Sequence, residues 1–100
     1  VAVDEIAANI LAYDQLAVAR RFAISGGDKF SDVSWSPGAN GAPIVDGTAG
    51  HFEISVTQRI SVFTHTIFIG RVTAAYANDK PPLIYLNGEF FDGSAMTPTS

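Results

Sequence analysis

The chain contains no cysteine. That absence excludes a disulfide framework, a thiolate nucleophile and a zinc ribbon, and it fits a reducing, cytoplasmic setting. Histidine is scarce: His51 and His65 are the only two, with neither the HExxH spacing nor a cysteine partner, so no metal site is expected. Charge is scarce too, at 16 % of residues, with Lys+Arg 6 against Asp+Glu 10 and a net charge of -4. The six basic residues are scattered, which argues against nucleic acid, whose affinity rests on cations neutralising phosphates. No apolar run approaches the roughly 20 residues of a membrane-spanning helix, and "VAVDEIAANI" lacks the basic start of a signal peptide. No GxSxG elbow is present, and "GANGAP" (residues 38–43) has no Walker lysine and reads as a solvated loop. Asp28, Asp32, Asp46, Glu53 and Glu89 form no evident pair for glycoside chemistry and read as solvated. The chain lacks an initiator methionine, so further sequence upstream is expected.

What is present is a chain of 100 residues, 47 % of them hydrophobic. That suffices for one modest core, and the low surface charge implies apolar surface that meets a partner. "EIAANIL" alternates Ile6, Ala8 and Ile10 with Glu5, Ala7 and Asn9, the period of a strand. "DQLAVARRFA" predicts a helix capped by Asp14, with Leu16, Ala19, Phe22 and Ala23 on one face and Arg20 and Arg21 in its last turn. "SGGD" then stops it, through the left-handed conformations open to Gly26 and Gly27. Residues 28–50 read as a long irregular segment, pinned over a core or a ligand by Phe30, Val33 and Trp35.

The second half reads as β. In "FEISVTQRISV" the even positions Phe52, Ile54, Val56, Ile60 and Val62 face one side, and the odd ones, from Glu53 to Ser61, face water. "FTH" turns the chain, and "TIFIGRVTAAY" is apolar on both faces, which predicts a central strand. "LIYLNGEFF" reads as a last strand bent at Asn87-Gly88, followed by a loose tail. Taken by itself, either histidine reads more readily as a structural or surface group than as a ligand. The aromatics Phe30, Trp35, Tyr85, Phe90 and Phe91 read as core before they read as a stacking platform.

The order of pieces adds a further argument. "NIL", "QLAVARRFA", "DKF", "W.PG..GAPIVDG", "HFEISV", "HTIFIGRV" and "PPLIYLNGEF" together resemble the C-terminal portion of the flavin reductase-like family, the FMN-binding split barrels. The resemblance implies a mainly β fold with one or two helices, an antiparallel split barrel incomplete at its N-terminus, with residues 1–91 as the domain and 92–100 as a flexible tail. It implies an NAD(P)H:flavin oxidoreductase that passes a hydride from NADH or NADPH to FMN or FAD, supplies reduced flavin to a partner monooxygenase, and acts as a homodimer. By residue matching, His65 falls on the histidine of the family's "GDH" turn and is the catalytic candidate. Asn9, Lys29, Phe30, Tyr85 and Phe90 join His65 as candidates for cofactor binding. Departures are the turn itself, which reads Phe63-Thr64-His65, His51 in place of an aromatic before "FE", and Leu86 and Phe90 in place of a histidine and a tyrosine. Two other readings stand beside this one: a non-catalytic flavin-binding module, and a truncated barrel that binds no cofactor and pairs through an exposed sheet edge.

Overall fold

The computed structural model describes residues 4–24, 26–27 and 29–99. Strand β1 (Glu5–Ile10) leads to helix α1 (Leu16–Ala23), then come β2 (Trp35–Pro37), β3 (Pro43–Val45), two long strands β4 (Gly50–Val62) and β5 (His65–Ala77), and finally β6 (Leu83–Leu86) and β7 (Glu89–Asp92). The three sheets are antiparallel: β1-β4-β5, β2-β3 and β6-β7. Among the described residues they form an open β architecture with a single α-helix, as the expected fold class requires, and no closed barrel.

Helix α1 begins later than the sequence predicts. Asp14 does not cap it; its carboxylate reaches Lys80 Nζ at 3.5 Å. Gln15 takes the N-terminal position without capping the helix through its side chain. Its Oε1 instead accepts from the Ala12 N–H at 2.9 Å and its Nε2 donates to the Asp46 carbonyl at 2.8 Å. This longer side chain ties the turn to the loop after β3. At the other end, Gly26 and Gly27 have φ of 79° and 74°, the left-handed geometry expected of a stop; Ser25 and Asp28 of that stop lie outside the described residues. The segment 28–50 is less irregular than expected, because β2 and β3 pair within it, Trp35 opposite Val45. Local sequence hides this hairpin, since its strands are three residues each.

Strand β4, not β5, is central: β1 and β5 flank it. The apolar run Ile67, Phe68 and Ile69, read as buried on both faces, is 48 %, 48 % and 44 % exposed on an edge strand. The odd face of β4, read as wet, is the covered one near its start. Glu53 is 2 % exposed while Phe52 is 39 % exposed. A register shift between Val56 and Gln58 inserts Thr57 unpaired. Such a bulge resets the alternation, so Ile60 and Val62 do not continue the face of Phe52 and Ile54. "LIYLNGEFF" is two strands rather than one bent strand: Asn87 (φ 58°) and Gly88 (φ 81°) form the two-residue turn with positive φ at both positions that suits a hairpin. Strand β7 runs to Asp92, and a 3-10 turn follows at Gly93–Ala95.

Among the described residues the buried apolar ones are Ala12, Ala42 and Val45, so the core is small; Ala42 and Val45 lie where the β2-β3 hairpin covers the start of the large sheet, and Ala12 bridges to Pro82. The accessible surface is 7159 Å², well above the roughly 5500 Å² expected of a compact monomer of this mass. The radius of gyration is 14.9 Å, against about 13 Å for a compact 100-residue domain. Several of the exposed large apolar side chains lie on the β4-β5 arm, among them Ile60, Ile67, Phe68, Ile69 and Val72.

Candidate functional site

The antiparallel register puts Ala7 opposite Glu53 and Asn9 opposite His51, all on one face of the sheet. Onto this face the β2-β3 hairpin is tied by Asn9. Its Oδ1 accepts from the Val45 N–H at 2.9 Å, and its Nδ2 donates to the Pro43 carbonyl at 3.2 Å. An asparagine in an apolar strand is thereby explained, since its amide replaces the missing ladder bonds between β1 and β3.

Beside that tie lies a cavity of about 310 Å³ lined by Ala7, Asn9, Leu11, Phe22, Phe30, Pro43 and Val45. Its aromatic wall is built by contacts between elements. Phe30 meets Phe22 of α1 edge-on with centroids 5.2 Å apart, and Trp35 of β2 at 5.4 Å. Each such pair is worth about 1 kcal/mol beyond the area it buries. The volume lies at the small end of ligand pockets. The lining fits the apolar face of a planar ring, and among the described residues it carries no cation to meet a phosphate.

Of the candidates named from the sequence, Asn9 and Phe30 come together at this cavity. Lys29 is close in sequence, but its Nζ donates to the Ile24 carbonyl, where it steadies the chain after α1. Tyr85 and Phe90 face each other across β6-β7, with ring centroids 4.9 Å apart. Phe90 borders a separate cavity with Leu16 and Arg20 of α1. His65 is exposed at the start of β5, paired with Val62 beyond a two-residue turn. With His51 beside Asn9 at one end of the hairpin and His65 at the other, the strand rise separates them by roughly 30 Å within one chain.

Sequence reasoning missed the residues that shape the cavity from the hairpin, Pro43 and Val45, and the support beneath them. "GANGAP" is not a solvated loop: it wraps the carboxylate of Glu53, whose Oε1 accepts from the Asn40 N–H at 2.9 Å. Glu53, read as solvated, is buried. A signal was available in the turn-forming residues Gly38, Asn40 and Gly41 so close together, yet only the fold shows what the turn encloses. Among the described residues no group of His, Asp and Glu is placed to hold a metal. No helix is long and apolar enough to cross a membrane among the described residues.

An open antiparallel β fold with an apolar, ring-sized cavity walled by Phe30 defines a candidate binding domain for a planar cofactor. The particular family follows from comparison: residues 2–94 match the Flavin reductase like domain, and the chain belongs to that family. The NADH:FMN oxidoreductase of Rhodococcus qingshengii is 32 % identical over 96 residues, covering 90 % of this chain and 50 % of that protein. The reductase component of a 4-nitrophenol 4-monooxygenase/4-nitrocatechol 2-monooxygenase from Rhodococcus opacus is 35 % identical over 82 residues, covering 82 % and 44 %. Among solved structures, the NADH:FAD oxidoreductase of Streptomyces globisporus superposes with a TM-score of 0.84 at 29 % identity, over 98 % of this chain and 60 % of that one. The chain therefore spans about half the length of the curated relatives it matches.

Proposed function

We propose that residues 1–91 serve as the C-terminal part of an NAD(P)H:flavin oxidoreductase, with 92–100 as a tail, and that the enzyme supplies reduced FMN or FAD to a partner monooxygenase in the cytoplasm. The observation that carries this reading is the apolar cavity between Asn9 and Phe30 in a chain of this family. When bound, the flavin supplies acceptance of a hydride from reduced nicotinamide, a transfer that needs rings in contact and little acid or base from the protein. The residues of this chain then have positioning tasks. Phe30, braced by Phe22 and Trp35, offers a flat wall, and Pro43 and Val45 exclude water from it. Asn9 holds those two residues in place, and its amide is satisfied within the protein.

His65 is proposed as the catalytic residue through a hydrogen bond to flavin or nicotinamide, with Lys29, Tyr85 and Phe90 bordering the cofactors. Because His65 lies far from the Asn9 cavity within one chain, this role calls for a second copy that brings its own hairpin end to the cavity. A homodimer covering the apolar β4-β5 arm supplies such an arrangement. The separation of His65 from the cavity also favours a second reading, a flavin-binding module without nicotinamide turnover.

The test is a titration with FMN followed by quenching of flavin fluorescence, then an assay of NADH and NADPH oxidation with and without added flavin. Saturable binding with flavin-dependent oxidation is the expected result. A longer version of the protein that folds, binds flavin and leaves both nicotinamides untouched would overturn the enzymatic reading and leave the module.

A further inference from the structure

A carboxylate removed from water is costly unless hydrogen bonds take up its charge. Glu53 is 2 % exposed, and among the described residues its carboxylate forms no ion pair. Its Oε1 accepts instead from the backbone N–H of Asn40 at 2.9 Å. The turn around it is tightly made: the Gly38 N–H donates to the Ala42 carbonyl at 2.8 Å, and the Gly41 N–H to the Gly38 carbonyl at 2.9 Å. Asn40 closes it from within. Its Oδ1 accepts from the Ala42 N–H at 3.0 Å, and its Nδ2 donates to the Ile6 carbonyl of β1 at 3.1 Å. Gly38 lies so close that a Cβ there would stand 2.5 Å from Glu53 Oε1 and 2.9 Å from its Cδ. The loop and the carboxylate are shaped to each other.

This turn joins β2 to β3, and Pro43 and Val45 of β3 line the cavity. We propose that Glu53 is a positioning residue for the cavity: its carboxylate seats the 38–42 turn on the sheet and so sets where Pro43 and Val45 stand against Asn9 and Phe30. The inference rests on the flavin reading only for what the cavity holds. The seating itself is independent of it.

The experiment compares the unaltered chain with Glu53→Gln, Glu53→Ala and Gly38→Ala. Two quantities are read: the emission of Trp35, the one tryptophan, which lies in β2 and reports the hairpin without ligand, and the affinity for FMN. Glu53→Ala and Gly38→Ala are expected to shift Trp35 emission to the red and weaken FMN binding about tenfold, the size of one buried hydrogen bond. Glu53→Gln keeps an oxygen acceptor and is expected to restore both, within about twofold of the unaltered chain. Far-ultraviolet circular dichroism separates a displaced turn from an unfolded chain, and Gly38→Ala carries the test if Glu53→Ala does not fold. Unmoved Trp35 emission in a folded variant overturns the proposal, as does a shifted emission with unchanged FMN affinity. If the unaltered chain binds no FMN, the cavity of this part is incomplete by itself and the link from Glu53 to ligand affinity fails for it, and the Trp35 signal alone decides whether Glu53 seats the turn.

Discussion

Asn9 Oδ1 accepts from the Val45 N–H at 2.9 Å, so a strand in the first ten residues holds one that lies beyond the helix and the loop. With the second bond, from Asn9 Nδ2 to the Pro43 carbonyl, the amide satisfies a donor and an acceptor of β3 together. Asn9→Leu removes both and leaves two partly buried backbone groups unpaired. Loss of about 2 kcal/mol is expected, read as a lower urea midpoint, with weaker FMN binding from the loosened wall. An unchanged midpoint would mean that the tie contributes nothing.

Phe63 has φ 55° and is fully exposed, at 102 %. It occupies the first position of the two-residue turn between β4 and β5, where a positive φ suits glycine and strains a bulky side chain. Phe63→Gly is expected to stabilise the protein by about 1 kcal/mol, seen as a raised thermal midpoint, and a lowered midpoint would show that Phe63 packs against a partner.

Gly70 faces the backbone across the hairpin: a Cβ there would meet Ser55 O at 2.6 Å and Ile54 Cγ2 at 2.5 Å. A backbone oxygen within a ladder has little room to move. Gly70→Ala is expected to cost about 2 kcal/mol, measured by chemical denaturation. Gly41 supplies the contrast, with φ 85° and nothing within 4 Å of a Cβ. Gly41→Ala is expected to cost only about 1 kcal/mol, from conformation alone.

His65→Ala separates the two readings of the site. The side chain is exposed, so the melting midpoint should not change appreciably. Flavin-dependent NADH oxidation is expected to fall about tenfold or more if His65 contacts a cofactor in a dimer. Unchanged oxidation would remove His65 from the mechanism.

Ile67, Phe68 and Ile69 on the edge strand β5 are about half exposed, an invitation to pairing. Sedimentation at micromolar concentration is expected to show a dimer, and Ile67→Lys to shift it toward monomer. A monomer in the unaltered chain would count against the dimeric arrangement that brings His65 to the cavity.

Much of this is legible along the chain. The alternation of "EIAANI" specifies β1, the spacing of Leu16, Ala19 and Phe22 specifies α1, and the order of motifs specifies the family. Asn9 and Phe30 stand out in the sequence alone, although Lys29, beside Phe30 in the chain, bonds to the Ile24 carbonyl. The β2-β3 hairpin is not legible, because strands of three residues carry too little periodicity to stand out. At Asn87-Gly88 the sequence suggests a bend where the chain fully reverses, although that dipeptide favours a hairpin.

By itself, the sequence determined where the chain can extend, coil and turn, because backbone preference and side-chain period act between near neighbours. Tertiary structure decided which face of β4 is covered, why Glu53 is buried while Phe52 is not, and that the apolar strand β5 is an edge. Those outcomes depend on what lies across from each residue. An alternating strand offers two faces, and the β2-β3 hairpin, tied down by Asn9 and seated on Glu53, covers one of them.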